Sequence, residues 1–113
     1  MMLGHYVYFS LHDCSSHAAD TLIASAQTLL SNHEGIVFFA AGGRTPDLNR
    51  DVNDEQFDVA LQIVFRSRTA HDAYQDSPMH YQFIDENKVN WKQIRVFDVD
   101  IPNEPTANNS AAK

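Results

Sequence analysis

The stretch FDVALQIVF, residues Phe57–Phe65, alternates large apolar side chains with smaller or polar ones. A period of two is typical of a β-strand that buries one of its faces. The large apolar side chains would share that face: Phe57, Val59, Leu61, Ile63 and Phe65. A strand this apolar needs a second layer of structure to cover it, so the stretch predicts a sheet packed against other elements.

Three more strands are predicted from apolar or aromatic stretches: His5–Leu11, Ile36–Ala41 and Gln93–Val99. Between the first two, apolar residues at helical spacing predict a helix over 17–33, with Ser15 or Ser16 as its N-cap and Gly35 at its end. Further on, the pair Ser77-Pro78 is typical of a helix start and divides a second helical region into 69–75 and 78–89.

The resulting order, β-α-β-β-α-β, is the ferredoxin-like arrangement of the α+β class. It places two helices on one face of a four-stranded antiparallel sheet. The long polar segment that follows the second strand includes the acidic stretch Asp47–Glu55, and a loop of this length is often a lid or a partner contact.

Composition limits the function classes. The chain has 113 residues, enough for one domain, which we place at 1–100, followed by an unstructured tail at 101–113. Its net charge of −7 argues against nucleic-acid binding. Its single cysteine gives no sign of an oxidising compartment, and no apolar run is long enough to span a membrane. Residues 1–5 do not resemble a signal peptide, so a cytoplasmic location is expected.

The apolar content of the strands predicts a partner. We expect the apolar face of the Phe57–Phe65 strand, together with Val7 and Phe9, to lie away from the helices, where it would face water. Four strands about 18 Å long and about 4.8 Å apart present on the order of 350 Å². Burying that area is worth roughly 9 kcal/mol, so a second identical chain is expected to pack on it and enclose a barrel.

Several motifs together resemble the stress-responsive α/β-barrel domain family, called Dabb. They are His5 followed by Tyr-Val-Tyr-Phe, the Phe57–Phe65 strand, His71–Gln75 leading into Ser77–His80, and the ending Val96–Asp98. The spacing from Tyr74 to His80, Tyr-x3-Pro-x-His, is the most specific of them, and the similarity covers residues 3–100.

The resemblance implies a dimeric α+β barrel and, for one plant branch of the family, polyketide cyclases that need no organic cofactor. In that branch a strand histidine, a helix histidine and a tyrosine act on the substrate, and these fall on His5, His80 and Tyr74 here. The residues expected to line the ligand pocket are Val7, Phe9, Leu61 and Ile63. The acidic loop Asp47–Glu55 has no clear counterpart in the cyclases.

Each candidate also has a structural interpretation. His5 is either a base inside the barrel or a histidine held by a backbone carbonyl. His80, in the first turn of a helix, is expected to be neutral, and Tyr74 is either a substrate contact or part of the core. If the three converge, the chemistry they favour is proton abstraction next to a carbonyl.

The remaining histidines suggest less. His12, Cys14 and His17 lie close together, but their spacing is a poor match to zinc sites, so neither a metal nor a cofactor is predicted. His71 and Asp72 are expected on a solvated helix surface. His33 is expected at a helix terminus.

Two functions follow from these observations. The first is a stress-associated homodimer that binds a small apolar or aromatic ligand, such as a polyketide-like compound, in the barrel interior. The alternative is an enzyme that uses His5 and His80, either a cyclase or isomerase or a small cofactor-independent monooxygenase. Fold alone does not decide between them.

Overall fold

A computed structural model describes residues 1–102 of the chain. Its elements, in order, are β1 (Met2–Leu11), α1 (Ser16–Leu30), β2 (Ile36–Gly43), β3 (Val59–Phe65), α2 (Arg68–Gln75), α3 (Pro78–Asn87), a 3₁₀ turn (Lys88–Asn90) and β4 (Trp91–Ile101). The strands form one antiparallel sheet in the order β2-β3-β1-β4. The ferredoxin-like α+β fold predicted from the sequence is thereby confirmed.

The second helical region is divided at Ser77, as the Ser-Pro pair predicts. The Ser77 hydroxyl oxygen accepts a hydrogen bond from the backbone N–H of His80 at 3.1 Å, and Pro78 is the first residue of α3. The first N–H groups of a helix have no hydrogen-bond partner within the helix. Proline, which lacks an N–H, therefore destabilises a helix least at its first residue. The division gives two separate helices, α2 and α3, each with a serine as its N-cap.

The first helix is shorter than predicted. It ends at Leu30 rather than near 33, with Ser31 at its C-cap, and Ser15 is its N-cap. Gly35 therefore does not end the helix. Its φ of +90° turns the chain into β2, and a Cβ at this position would clash with the Cβ of Ala70, so both the backbone and the space require glycine.

The apolar face of β1 and β3 packs against the helices, not away from them. Val7, Phe9, Leu61 and Ile63 belong to one buried cluster with residues of α1, among them Leu22, Ala26, Leu29 and Leu30. The predicted orientation of this face is therefore wrong. Alternation shows which side chains share a face of the sheet. It does not show which face the helices cover, because the helices pack on the face that buries more apolar surface.

The opposite face of the sheet, which we call the open face, still carries apolar side chains. Its larger members are Tyr6, Tyr8, Phe38, Val64, Phe97 and Val99. Phe38 and Phe97 are each 51% exposed. The apolar side chains that a second chain would cover are therefore these residues, and not the face of β3 predicted from the sequence.

Phe57 also belongs to the open face. Its ring lies 5.1 Å from that of Tyr8, edge to face. The alternation predicts that Phe57 shares a face with Val59. However, β3 begins only at Val59, so Phe57 lies before the strand and does not follow its alternation.

The segment 44–58 between β2 and β3 is tied to the sheet. A carboxylate oxygen of Asp54 accepts a hydrogen bond from Arg95 at 2.6 Å, and the carboxylate of Asp58 accepts one from the backbone N–H of Leu11 at 2.8 Å. The Ser10 hydroxyl donates to the Gln56 carbonyl. The long loop is thus fixed against one end of the sheet.

Two predictions concern the ends and surroundings of the domain. β4 continues to Ile101, and the rest of the predicted tail lies outside the described residues, apart from Pro102. None of the helices within 1–102 is long and apolar enough to cross a membrane.

The core accounts for a first prediction. Replacing Ile63, which is fully buried, by alanine leaves a cavity between the sheet and α1, and we expect the free energy of unfolding to fall by about 2–5 kcal/mol. Urea denaturation measures this loss. Gln27 is exposed on α1, so Gln27→Ala should change stability by less than about 0.5 kcal/mol. Equal effects of the two substitutions would contradict the burial of Ile63.

Candidate active site

A cavity of about 340 Å³ lies between the helix-covered face of the sheet and the second helical region. Its lining is His5, Val7, Phe9, Leu61, His71, Tyr74, Gln75, His80, Phe83, Ile84, Trp91, Ile94, Val96 and Asp98. The cavity is formed within one chain. This corrects the expectation that the candidate site residues point into an interior enclosed by two sheets.

One end of the cavity is apolar. Val7, Phe9 and Leu61 contribute to it, whereas Ile63, the fourth residue expected there, is fully buried in the core and outside the lining. The rings of Phe9 and Trp91 lie 5.1 Å apart, and Phe83 packs against both. These aromatic side chains give the cavity a wall suited to a flat, apolar ligand.

At the other end, His5 and Asp98 form a hydrogen-bonded pair. They face each other across the β1–β4 register, and the distance from His5 Nδ1 to the carboxylate of Asp98 is 2.6 Å. Only 6% of the His5 side chain is exposed, against 47% for Asp98. Because an ionised carboxylate only accepts, Nδ1 carries the proton, and Nε2 is the nitrogen left to accept one.

Burial controls the charge of His5. It lowers the pKa of His5 below the ordinary value, and the hydrogen bond and negative charge of Asp98 oppose that shift in part. His5 is therefore mainly neutral near pH 7, which is the state a base requires, while Asp98 is placed to stabilise the imidazolium after a proton is taken.

Tyr74 lies at the centre of the polar end. Its ring centroid is 6.1 Å from that of His5 and 4.9 Å from that of His80, and only 3% of the residue is exposed. Burial raises the pKa of Tyr74 well above its usual range. The phenol therefore keeps its proton and can donate a hydrogen bond to a ligand oxygen.

His80 completes the group. Burial, together with the positive charges that His5 and His33 can carry, lowers the pKa of His80, so this ring is also mainly neutral near pH 7. Its Nδ1 is buried and has no hydrogen-bond partner within 1–102. His80 therefore has hydrogen-bonding capacity that the chain leaves unused at this end of the cavity.

His71 and Asp98 are site residues that the sequence analysis missed. His71 was expected at a solvated surface, but only 14% of its side chain is exposed and its ring lies 5.0 Å from that of His5. Its position three residues before Tyr74 puts both on one side of α2, which the sequence does show. Asp98 continues the alternation of Ile94 and Val96, and that pattern also would have pointed to it.

His33 connects two helices near the cavity. Its Nδ1 lies 3.0 Å from the carbonyl oxygen of Leu30, at the end of α1, where it was expected. Its Nε2 lies 2.9 Å from the hydroxyl oxygen of Ser77, the N-cap of α3. The contact fixes the start of α3 and, with it, the position of His80.

The residues His5, His71 and Asp98 are the group within 1–102 whose spacing approaches that of a metal site, with ligand atoms inside 4.8 Å of one another. However, the 2.6 Å between His5 and Asp98 is a hydrogen-bond distance. Two ligands at about 2.1 Å from one tetrahedral ion lie farther apart, at about 3.4 Å. The arrangement suits a shared proton better than an ion.

Fold and cavity together define a ferredoxin-like α+β domain with a histidine-rich cavity between sheet and helices. The chain belongs to the stress responsive A/B barrel domain family (Dabb), whose pattern matches residues 3–101. This confirms the family resemblance seen in the sequence. No curated protein matches the chain.

Solved structures with this fold include proteins of several descriptions. A dimeric ferredoxin-like protein of unknown function from Thermobifida fusca is 16% identical with a TM-score of 0.74, and the match covers 89% of this chain and 92% of that one. A Dabb family protein from Mesorhizobium loti is 21% identical, with a TM-score of 0.71 and coverage of 90% and 98%. A hydroxynitrile lyase from Passiflora edulis is also 21% identical, with a TM-score of 0.70 and coverage of 92% and 97%. At these identities the similarity concerns the fold.

The lowered pKa values of His5 and His80 predict how stability depends on pH. The unfolded chain binds protons at these histidines near pH 6.5, whereas the folded chain binds them only at lower pH. The stability they contribute is complete above about pH 6.5 and is lost as the pH falls through the folded pKa values.

We therefore expect the free energy of unfolding, measured in urea, to be lower at pH 5.5 than at pH 7.5. His80→Gln should reduce this difference, whereas the same change at His17, an exposed residue of α1, should leave it as in the wild type. A difference that His80→Gln leaves unchanged would contradict the proposed burial of this ring.

Proposed function

We propose that this protein transfers a proton on a small, largely apolar carbonyl compound bound in the cavity. The observation that carries the proposal is the convergence of His5, Tyr74 and His80 on one end of a single cavity whose other end is apolar. Two neutral imidazoles and a protonated phenol at one end supply a base and hydrogen-bond donors without a cofactor.

The step we propose begins at Nε2 of His5. This nitrogen takes a proton from the carbon next to the carbonyl: the C–H bond breaks, an N–H bond forms, and the electron pair moves to the carbonyl oxygen as an enolate. The Asp98 carboxylate stabilises the imidazolium. The Tyr74 hydroxyl donates to the enolate oxygen, where the negative charge develops.

The enolate then has two ways to react. It attacks a second carbonyl of the same molecule and closes a ring, or, where a C=C bond is conjugated with the enolate, it recovers the proton at the far carbon of that bond and isomerises. His80 is placed to exchange a proton with the oxygen or carbon involved. In the ring closure, the proton held by His5 passes to the new alkoxide, so charge and atoms balance.

The size and lining of the cavity favour a ligand with one or two rings. Its volume lies at the lower end of the range of small-molecule sites. A compound of this kind would place its ring against Phe9, Phe83 and Trp91 and its carbonyl near Tyr74. Ligand binding without chemistry, the other function predicted from the sequence, requires only the apolar end.

A model substrate tests the chemistry directly. We expect the wild type to accelerate exchange of the α-hydrogens of phenylacetone for deuterium in D₂O, followed by proton NMR. His5→Gln and His80→Gln should each slow this exchange by about 10²–10⁴-fold, because each removes an acid–base group. Tyr74→Phe should slow it less, since it removes only a hydrogen bond.

The control is His17→Gln, which changes an exposed histidine outside the cavity and should keep the full rate. Thermal shift with the same ketone separates binding from catalysis. Stabilisation without exchange supports a binding protein and contradicts proton transfer. Neither stabilisation nor exchange, with this ketone and with larger aromatic diketones, contradicts both.

We further propose that the protein acts as a homodimer that pairs through the open face. Phe38, Phe97 and Val99 are each about half exposed there, and an apolar patch of this extent on a sheet usually marks a contact. An isologous pair covers the face of both copies at once. The relative from Thermobifida fusca, which is described as dimeric, is consistent with this pairing.

Phe97→Asp tests the pairing. A charge on the open face should weaken association by at least about tenfold in sedimentation equilibrium, since an unpaired carboxylate is costly to bury. The matched control is Tyr81→Asp on α3, because Tyr81 is 53% exposed and Phe97 is 51% exposed. Equal association of the two variants would contradict pairing through this face.

A further inference from the structure

We propose that the loop 44–58 forms an arm that contacts the second copy of the chain, with Val52 as its main apolar contact. The inference rests on the proposed pairing through the open face and adds a second element to that interface. It concerns a segment for which the sequence offered only two general roles, a lid or a partner contact.

The position of the loop supports this role. It stands at one end of the open face, where it walls a groove of about 460 Å³. The groove is lined by Tyr8, Val52, Asn53, Asp54, Phe57, Arg95 and Phe97. The loop and the face are therefore one continuous surface, and a partner that covers Phe97 also meets Val52. The cavity with His5 and His80 lies on the other side of the sheet, so a lid function there is excluded for this loop.

The loop is also held in place before any partner arrives. Its ion pair between Asp54 and Arg95 and the hydrogen bonds of Asp58 and Gln56 fasten it to β1 and β4. The ring of Phe57 packs on that of Tyr8. Because these contacts already order the loop, contact with a partner costs little further conformational entropy.

The exposure of its apolar side chains agrees with a contact surface. Val52 is 87% exposed and Leu48 is 49% exposed, in a loop that carries five acidic and two basic residues. Val52 and the half-exposed ring of Phe97 both line the groove, so an apolar side chain of a second copy placed there would contact both.

The area that a stable dimer buries also favours a contact between the loop and the second copy. A specific interface buries about 800 Å² on each partner, whereas strands of 10, 8, 7 and 11 residues, at about 3.3 Å per residue and about 4.8 Å apart, present roughly 570 Å² in projection. Each chain also carries a net charge of −7, so two copies repel and need apolar contact to compensate. The loop supplies contact area directly beside the sheet, where a second copy would reach it.

The experiment compares two valines of nearly equal exposure. Val52→Asp and Val89→Asp each place a carboxylate on a side chain that is exposed in the single chain, 87% and 85% respectively, so neither should disturb folding. Val89 lies in the 3₁₀ turn, away from the open face. Sedimentation equilibrium of the full chain gives the dissociation constant of each variant.

We expect Val52→Asp to raise the dissociation constant by at least about tenfold and Val89→Asp to leave it within about twofold of the wild type. Equal constants for wild type and Val52→Asp, with dissociation by Phe97→Asp, would overturn the arm and leave the pairing intact. A wild type that sediments as a single copy at all concentrations overturns both. Neither result bears on the proton-transfer proposal, which is tested on the opposite side of the sheet.

Discussion

The hydrogen bond between His5 and Asp98 is the interaction on which the site depends. Within 1–102, His5 is the one polar residue in the buried set, and a buried imidazole without a partner would be destabilising. The partner comes from β4, directly opposite in the β1–β4 register. Strand pairing, burial and the tautomer of His5 are therefore one constraint, and the geometry of the cavity follows from it.

Much of the fold was predictable because its signals are local. The alternation in β3, the serine caps and the Ser-Pro break each act within a few residues, and the structure agrees with them to within a few positions. Which side of the sheet the helices cover is not local. It depends on which of the two faces, each built from four strands, carries more apolar surface. The alternation in β3 indicates only one of these faces, and Tyr6, Phe38 and Phe97 lie on the other.

The candidate site shows the same division. His5, Tyr74 and His80 were identified through the family resemblance, and all three line the cavity. His71 was predicted to be a solvated surface residue, although its helical spacing from Tyr74 places it on the side of α2 that faces the cavity. Alternation places Asp98 with Ile94 and Val96, but its pairing with His5 is identified only once the register of β1 and β4 is known. Ile63 is buried in the core instead of lining the cavity, and such a difference in depth depends on how α1 packs.

Consecutive residues of β1 have different roles because their side chains lie on opposite faces of the sheet. His5, Val7 and Phe9 face the cavity, while Tyr6 and Tyr8 face the side proposed for pairing. Substitutions at odd positions can thus alter ligand preference while assembly stays the same, and those at even positions can do the reverse. Insertion or deletion of a single residue would exchange the two sets at once. Descendants of this chain can diverge freely by replacement along β1, but hardly by a change in its length.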